Sequence, residues 1–211
     1  MKKVNWIFLL GMIVSLGFFT SCGEDEGDDI TVNTDTVKVY SAKLLFAPTA
    51  DSTSLTFFKY STGTTVAVTD FETNSADIDF GYFYGGTAKA SLASPSDYLT
   101  TAYDLAALYP TATLNVTTFA STSVVYADVV TGAAIEAAYT DGTLATNGNS
   151  NGATRIYNLK DGDVVAFKTA AGKYGLIKIN AVVDADNDGV YYGDEDYMSI
   201  EVKVADEIVA E

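Results

Sequence analysis

The sequence predicts a mainly β protein, folded as a single antiparallel β-sandwich-like domain over residues 37–204 with two short inserted helices. Most of this region consists of short segments in which branched and aromatic residues alternate with polar ones, a pattern typical of strands. Gly, Ser, Asp and Asn residues separate the segments at short intervals, as turns require. Of the 211 residues, 48% are apolar, which is enough to form a core between two sheets.

The first half of the domain predicts five strands, which end at turn residues such as Ser61-Thr62-Gly63 and Gly85-Gly86. Alternation in the fourth segment indicates that residues two apart share one face of that strand. The segments are 37–46, 54–60, 64–69, 76–84 and 88–93; in the fourth, Ile78, Phe80, Tyr82 and Tyr84 form one face and Asp77, Asp79 and Phe83 the other.

Two helices are predicted next. Ser94 fits an N-cap, Pro95 the first helical position and Asp97 the acidic third position of a capping box, so a helix is expected from there to about residue 108. Its inward-facing residues are expected to be Tyr98, Leu105 and Leu108. A second short helix is predicted at 132–139, between an extended region at 113–130 with a break near Ala120-Ser121 and a flexible loop at 144–153.

The C-terminal third predicts a meander of four strands that follow one another in an antiparallel sheet. Gly-containing turns at 160–163 and 170–172 separate the first three strands. The segments are 154–159, 164–169, 174–183 and 197–204, the sheet edge is expected to carry Lys168, Lys173, Lys178 and Lys203, and residues 205–211 form a tail.

The connection between the last two strands fits the calcium-loop pattern D-x-[DN]-x-[DN]-G-x5-E at every specified position. Calcium takes six to eight oxygen ligands. Because strands rather than helices flank this loop, the alternative is an acidic hairpin tip that binds no metal. The predicted ligands are the carboxylates of Asp184, Asp186, Asp188 and Glu195, the carbonyl of Val190 and a water held at Tyr192.

The N-terminus predicts an export signal. Lys2 and Lys3 precede an apolar run at 6–19, which is shorter than the roughly 20 residues that span a bilayer. Phe19-Thr20-Ser21-Cys22 resembles a bacterial lipobox, which implies a signal peptide at 1–21 and an acylated Cys22. The acidic linker at 22–36 resembles the surface-export signal of Bacteroidota lipoproteins. These resemblances imply a lipid-anchored protein on the outer face of the outer membrane.

Charge and composition exclude several classes of function. A formal net charge of −16 at pH 7 repels nucleic acid, so no nucleic-acid partner is expected. The sequence has no histidine and one cysteine, which rules out histidine-dependent catalytic triads, histidine-ligated zinc or haem, four-cysteine metal sites and intrachain disulfides.

Several segments of the domain carry recognisable motifs, among them Phe57-Phe58, 76–80 and Gly162-Asp163-Val164-Val165-Ala166-Phe167. These segments resemble a group of functionally uncharacterised Bacteroidota surface lipoproteins, which implies a β-rich lipid-anchored module and no particular chemistry. Residues 60–63 and 76–80 are also faintly similar to haem-capturing lipoproteins of that phylum. Those proteins hold iron with histidine or methionine, whereas this chain retains only Met198 after signal removal. Alternation places Met198 in the core, so no haem is expected.

Three classes of function remain open. The favoured one is a non-catalytic cell-surface binding or adhesion module with a structural calcium site, whose partner is a surface protein or a glycan. The second is a carbohydrate- or haem-binding component of an outer-membrane uptake system. The third is a glycosidase using Asp77 with Asp79 or Asp163, since residues two apart on a strand lie about 6.6 Å from each other. The platform for the second class would be Tyr82 and Tyr84 with Asp77 and Asp79.

Overall fold

A computed structural model describes residues 35–48, 53–98, 103–146, 152–184 and 196–207. Strands dominate these ranges, and the helices are short. The strands are β1 Asp35–Phe46, β2 Leu55–Lys59, β3 Thr64–Ala67, β4 Phe80–Gly85, β5 Lys89–Ala93, β6 Thr118–Ser121, β7 Thr143–Leu144, β8 Arg155–Ile156, β9 Val164–Lys168, β10 Tyr174–Val183 and β11 Tyr197–Glu207; the helices are α1 Phe71–Asn74, α2 Leu105–Leu108 and α3 Gly132–Thr140.

The strands form two sheets that pack on each other. The six-stranded sheet has the order β1-β11-β10-β9-β6-β7 and the five-stranded sheet the order β3-β2-β4-β5-β8. The strand pairs are antiparallel, for example with Ile177 opposite Val202 and Gly81 opposite Ala93. This architecture confirms the predicted mainly β, sandwich-like fold.

The central core lies between the sheets and takes aromatic side chains from both. Phe80 of the five-stranded sheet packs edge-on against Phe119 and Phe167 of the other sheet, with ring centroids 6.2 and 5.4 Å apart. Met198 is fully buried here, as alternation predicted. Each large apolar side chain contributes about 1.5–3 kcal/mol by leaving water, so this core accounts for much of the stability.

Helices and loops cover the outer face of each sheet. Phe57 and Phe83 point away from the central core and pack with Phe71 of α1 and Leu105 of α2. On the other side, Ile135 of α3 packs on the six-stranded sheet. Consecutive aromatic residues on one strand can therefore both be buried, because alternation sends them to opposite covered faces.

Alternation along β4 was predicted correctly for most residues. Phe80, Tyr82 and Tyr84 pack in or against the central core, and Phe83 lies on the outer face. Ile78 is different, because it lies in the outer cluster with Phe83. The strand begins only at Phe80, so its alternation does not extend back to Ile78.

The predicted helix over 94–108 is wrong as a continuous element. Pro95–Asp97 forms one 3₁₀ turn, after which Tyr98 is extended (φ −69°, ψ 150°), and α2 starts only at Leu105. The capping residues bond elsewhere: Ser94 Oγ donates to the carbonyl of Asn115 at 2.6 Å. Asp97 accepts hydrogen bonds from Arg155 and Thr154. Tyr98 and Leu105 are buried as expected, whereas Leu108 is 52% exposed.

The four-strand meander is correct only for its last three strands. β8 pairs with β5 in the five-stranded sheet, and β1 pairs with β11, so β11 is an interior strand. The lysines therefore do not line an edge. Lys203 is 7% exposed, and its ammonium donates to the carbonyls of Tyr126 and Val129 at 2.7 and 2.8 Å. These bonds attach the 126–129 segment to the sheet.

The prediction of an extended region at 113–130 was only partly correct. The region 113–130 contains one short strand, β6, followed by a 3₁₀ turn at Tyr126–Asp128. The second predicted helix is confirmed as α3. Within the part of the chain that the structure describes, no helix is both long and apolar enough to cross a membrane.

Candidate functional site

Two cavities lie at opposite ends of the sandwich. β4 and β10 each run from one to the other. The residues just before these strands, Asp79 and Lys173, line the first cavity. Tyr84 and Val182, which lie near the ends of these strands, line the second. The polar cleft is the cavity lined by Tyr60, Ser61, Ala76, Asp77, Asp79, Asn115, Thr169, Ala170, Ala171 and Lys173.

The polar cleft has a volume of about 160 Å³ and lies between the β2–β3 turn and the β9–β10 hairpin. The β2–β3 turn closes at Gly63, where φ is +66° and an added Cβ would lie 2.1 Å from the ring of Tyr40. Glycine is therefore required here both for the backbone conformation and for space. The turn holds Tyr60 and Ser61 at one wall of the cleft.

Asp79 is the buried carboxylate of the polar cleft, with 9% of its surface exposed. Its Oδ2 accepts the backbone N–H of Tyr60 at 2.5 Å, and its own N–H donates to the carbonyl of Phe58 at 2.9 Å. Burial raises the pKa of Asp79 to about 6; the hydrogen bond from Tyr60 opposes that shift and the charge of Asp77 adds to it. Asp79 is therefore ionised at neutral pH and protonated in mild acid.

Asp77 has a more open setting. Its side chain is 61% exposed, and its Oδ2 lies 3.2 Å from the ammonium of Lys59. Lys59 also donates to Asn74 Oδ1 at 3.3 Å. Ion pairs at this level of exposure contribute little to stability, so this bridge adds little to the stability of the fold.

Asn115 holds the segment that carries both aspartates. Its Nδ2 lies 3.2, 3.0 and 2.8 Å from the carbonyl oxygens of Ser75, Ala76 and Ile78. Asn115, Thr169 and Lys173 were not predicted to be site residues. Nothing in their local sequence indicates a site, because they come from separate parts of the chain.

The second cavity, called here the lysine cavity, has a volume of about 380 Å³. It lies beside the end of β4, the start of β5, the segment before β9 and the end of β10. Among the predicted site residues, Tyr84 lines it. The lysine cavity is lined by Tyr84, Lys89, Ala90, Asn158, Leu159, Lys160, Asp161 and Val182.

The four residues of the predicted ligand platform lie in three places. Asp77 and Asp79 share the polar cleft, and Tyr84 is half-buried at the lysine cavity. Tyr82 is fully buried in the central core, where its hydroxyl has no hydrogen-bond partner among the described residues. Burial raises the pKa of Tyr82 above its ordinary value. The structure therefore presents no continuous tyrosine surface on β4.

Asp163 lies in the turn between β8 and β9. Its Oδ2 accepts the N–H of Lys160 at 2.8 Å, and its own N–H donates to the Lys160 carbonyl at 3.0 Å. It is not among the residues that line the polar cleft with Asp77 and Asp79. The carboxylate pair available to a glycosidase is thus Asp77 with Asp79.

The predicted calcium loop falls mainly outside the described residues. Asp184 is described at the end of β10, while Asp186, Asp188, Val190, Tyr192 and Glu195 lie outside, as does the predicted lipidation site Cys22. Within the described ranges, no group of three or more His, Cys, Asp and Glu side chains is arranged to hold a metal ion. The calcium and lipid sites therefore stay predictions.

Comparison with known proteins gives one informative match. Neither a protein-family model nor a curated protein matches this chain. Among solved structures, it is similar to a DUF4466 family protein from Parabacteroides merdae ATCC 43184, with 13% sequence identity and a TM-score of 0.52. The match covers 82% of this chain and 54% of that protein. At this identity the likeness shows a shared fold, here with a protein of an uncharacterised Bacteroidota family.

Proposed function

We propose that this chain is a non-catalytic binding or adhesion module of a bacterial outer-membrane surface, anchored through Cys22, and that the polar cleft is its ligand site. The observation that carries the proposal is the side-chain chemistry of the cleft. Asp77 and Asp79 accept hydrogen bonds, whereas Thr169 and Lys173 can donate them. A ligand that both donates and accepts at closely spaced positions fits this set, and the hydroxyl groups of a sugar do so.

The size of the cleft supports recognition of one group of a larger ligand. Its volume of about 160 Å³ corresponds to about five water molecules, and it is smaller than the roughly 300–1,000 Å³ of sites that enclose a whole small molecule. One sugar unit at the end of a surface glycan is therefore a suitable ligand, with the rest of the chain outside. Such a contact suits adhesion or the capture of a glycan by an uptake system.

Haem is not part of this proposal. The chain has no histidine, and the sulfur of Met198 is buried in the central core. The haem-capturing lipoproteins to which this chain is faintly similar hold the iron with histidine or methionine. The uptake alternative is therefore kept for carbohydrate alone.

A glycosidase is the second candidate, and the raised pKa of Asp79 favours it. Glycoside hydrolysis uses one carboxyl group as an acid with a raised pKa and a second as base or nucleophile. Asp79, with a pKa of about 6, suits the acid. Asp77 fits the role of base or nucleophile less well, because it is exposed and paired with Lys59. These contacts support binding over hydrolysis.

The first experiment screens the purified full chain against an array of neutral bacterial and host glycans and measures the best ligand by calorimetry. Asp79→Asn is expected to weaken binding about tenfold, because a charged acceptor is replaced by a neutral one. Asp163→Asn is the matched control and should leave binding unchanged. Unchanged binding in both Asp77→Asn and Asp79→Asn would exclude the polar cleft as the site. Hydrolysis of the ligand that Asp79→Asn abolishes would instead establish the enzyme.

We also propose that the 184–195 loop binds calcium and so stabilises the turn between β10 and β11. The pattern of carboxylates in the sequence supports this proposal. Calcium at a hundred times its dissociation constant should raise the unfolding free energy by about 2.7 kcal/mol. Thermal unfolding of the full chain in EDTA and in millimolar calcium measures this. The Asp184→Ala/Glu195→Ala variant should lose the shift, and an equal shift with magnesium would indicate a general charge effect.

A further inference from the structure

The lysine cavity is a second concave site, separate from the polar cleft. Its volume of about 380 Å³ falls within the range of sites that enclose small ligands. β4 connects the two sites, with Asp79 just before the strand at one end and Tyr84 at the other. The chemistry of its lining decides what it could bind.

The lining carries positive charge in a strongly acidic protein. Lys89 and Lys160 are both exposed at the cavity, and the chain as a whole has a formal net charge of −16. Asp161 is the one carboxylate in the lining, and its Oδ1 accepts the backbone N–H of Val182 at 2.8 Å. With two ammonium groups and one carboxylate, the lining has a formal charge of +1. An anionic group is therefore favoured there.

The floor of the cavity is apolar and aromatic. Tyr84 is half-buried, with the ammonium of Lys89 5.9 Å from its ring centroid. Leu159 and Val182 extend this surface beside the ring. A flat ligand with an apolar face can pack on the ring while its charged group reaches the lysines. A bare inorganic anion would not use this surface.

The backbone at the cavity is held in an uncommon conformation. Lys89 has φ +56° and Asn158 has φ +57°, both in the left-handed region. Few residues other than glycine and asparagine adopt this conformation, so it is uncommon for Lys89. Hydrogen bonds from the N–H groups of Asn158 and Leu159 to the carbonyls of Ala88 and Ala90 hold the two segments together. Uncommon backbone conformations are often found at ligand sites.

We propose that the lysine cavity binds an acidic sugar residue. The carboxylate of the sugar lies between Lys89 and Lys160, its ring packs on Tyr84, and its hydroxyl groups bond to the amide of Asn158. A negatively charged glycan would then be recognised at the opposite end of the sandwich from the polar cleft. This inference does not depend on the ligand of the polar cleft.

The test is calorimetric titration of the purified full chain with N-acetylneuraminic acid and with sodium glucuronate. Glucose serves as the neutral comparison and sulfate as the bare anion. We expect at least one acidic sugar to bind, with affinity about tenfold or more above that of glucose and sulfate. Absence of acidic-sugar binding, or equal affinity for sulfate, overturns the proposal, the latter by indicating a simple anion site.

Two sets of variants locate the binding. Lys89→Gln/Lys160→Gln should weaken acidic-sugar binding about tenfold or more, because two charge-assisted contacts are lost. Lys38→Gln/Lys178→Gln removes the same charge outside the cavity and should leave acidic-sugar binding unchanged. An equal loss of binding in both double variants would show a general charge effect and contradict the site. Tyr84→Ala should also weaken binding, while Tyr84→Phe should retain it.

The same titrations separate this proposal from the proposed function. Asp79→Asn should leave acidic-sugar binding intact, because Asp79 lies at the opposite end of β4. Loss of acidic-sugar binding in Asp79→Asn, with full binding in Lys89→Gln/Lys160→Gln, would assign the ligand to the polar cleft and reject the lysine cavity.

Discussion

Asp79 shows how tertiary burial changes the chemistry of one side chain. In sequence it is one of 28 acidic residues, and alternation places it on the same strand face as Asp77. In the fold it is 9% exposed and held by the N–H of Tyr60, while Asp77 remains open to water. The two aspartates therefore differ in exposure and in hydrogen-bonding partners, although only one residue separates them.

Replacing Asp79 with asparagine is expected to change the pH dependence of stability. The pKa of Asp79 is raised from 3.8 to about 6, so between these values the folded state binds the proton more tightly than the unfolded state. The unfolding free energy therefore falls as pH rises through this window. The loss amounts to about 3 kcal/mol above the window. Asp79→Asn stays neutral and should be more stable than the wild type at about pH 8, with the difference disappearing near pH 4.

Urea denaturation at a series of pH values measures this difference. Asp128→Asn, which changes an exposed aspartate, is the control and should keep the wild-type profile. A wild-type pH profile of stability in Asp79→Asn would contradict the raised pKa of Asp79. A more stable variant with weaker glycan binding would be the expected exchange of stability for function at a binding site.

At the scale of elements, one glycine in β10 makes room for a core ring from β9. Gly175 lies opposite Phe167 in the strand pair. A Cβ built on Gly175 would lie 2.1 Å from Cζ of the Phe167 ring. That ring also packs against Phe80 and Tyr60, so it has little freedom to move away. The glycine therefore couples the strand pair to the central core.

Gly175→Ala is expected to destabilise the protein by about 1–3 kcal/mol, because the added methyl group overpacks the site. Gly86→Ala is the matched control, since nothing lies within 4 Å of its added Cβ. Thermal unfolding of both variants measures the difference in midpoint. Equal midpoints would show that Phe167 can shift without cost.

At the scale of the whole molecule, the proposed anchor decides where the domain acts. Several acyl chains on Cys22 would hold the protein on a membrane, at about 0.8 kcal/mol for each buried CH₂ group. The net charge of −16 would keep the domain from binding anionic headgroups directly. Membrane attachment should therefore depend on the lipid alone.

Cys22→Ser is expected to abolish incorporation of labelled palmitate and to release the protein from the membrane fraction of a Bacteroidota host. Protease treatment of intact cells then reports surface exposure of the wild-type protein. Unchanged membrane association of the variant would reject the anchor. Protection of the wild-type protein from protease would reject the surface location.

The helix predicted over 94–108 shows where local sequence signals stop being sufficient. Ser94, Pro95 and Asp97 do form a turn, so the local signal was partly correct. The helix fails to continue because Tyr98 is buried and donates to the carbonyl of Tyr82. Asp97 meanwhile pairs with Arg155, 58 residues away in sequence. Such distant partners leave no mark in a local pattern.

The sequence by itself determined the strand content, the burial of alternate residues along β4 and the position of α3, because these depend on residue spacing and turn chemistry. Tertiary structure decided the sheet to which each strand belongs, as with β8 beside β5 and β1 beside β11. It also buried Lys203 and placed Asp79, Asn115 and Lys173 around one cleft. These outcomes depend on which distant segments meet, and their free energy comes from contacts that exist only after the chain has folded.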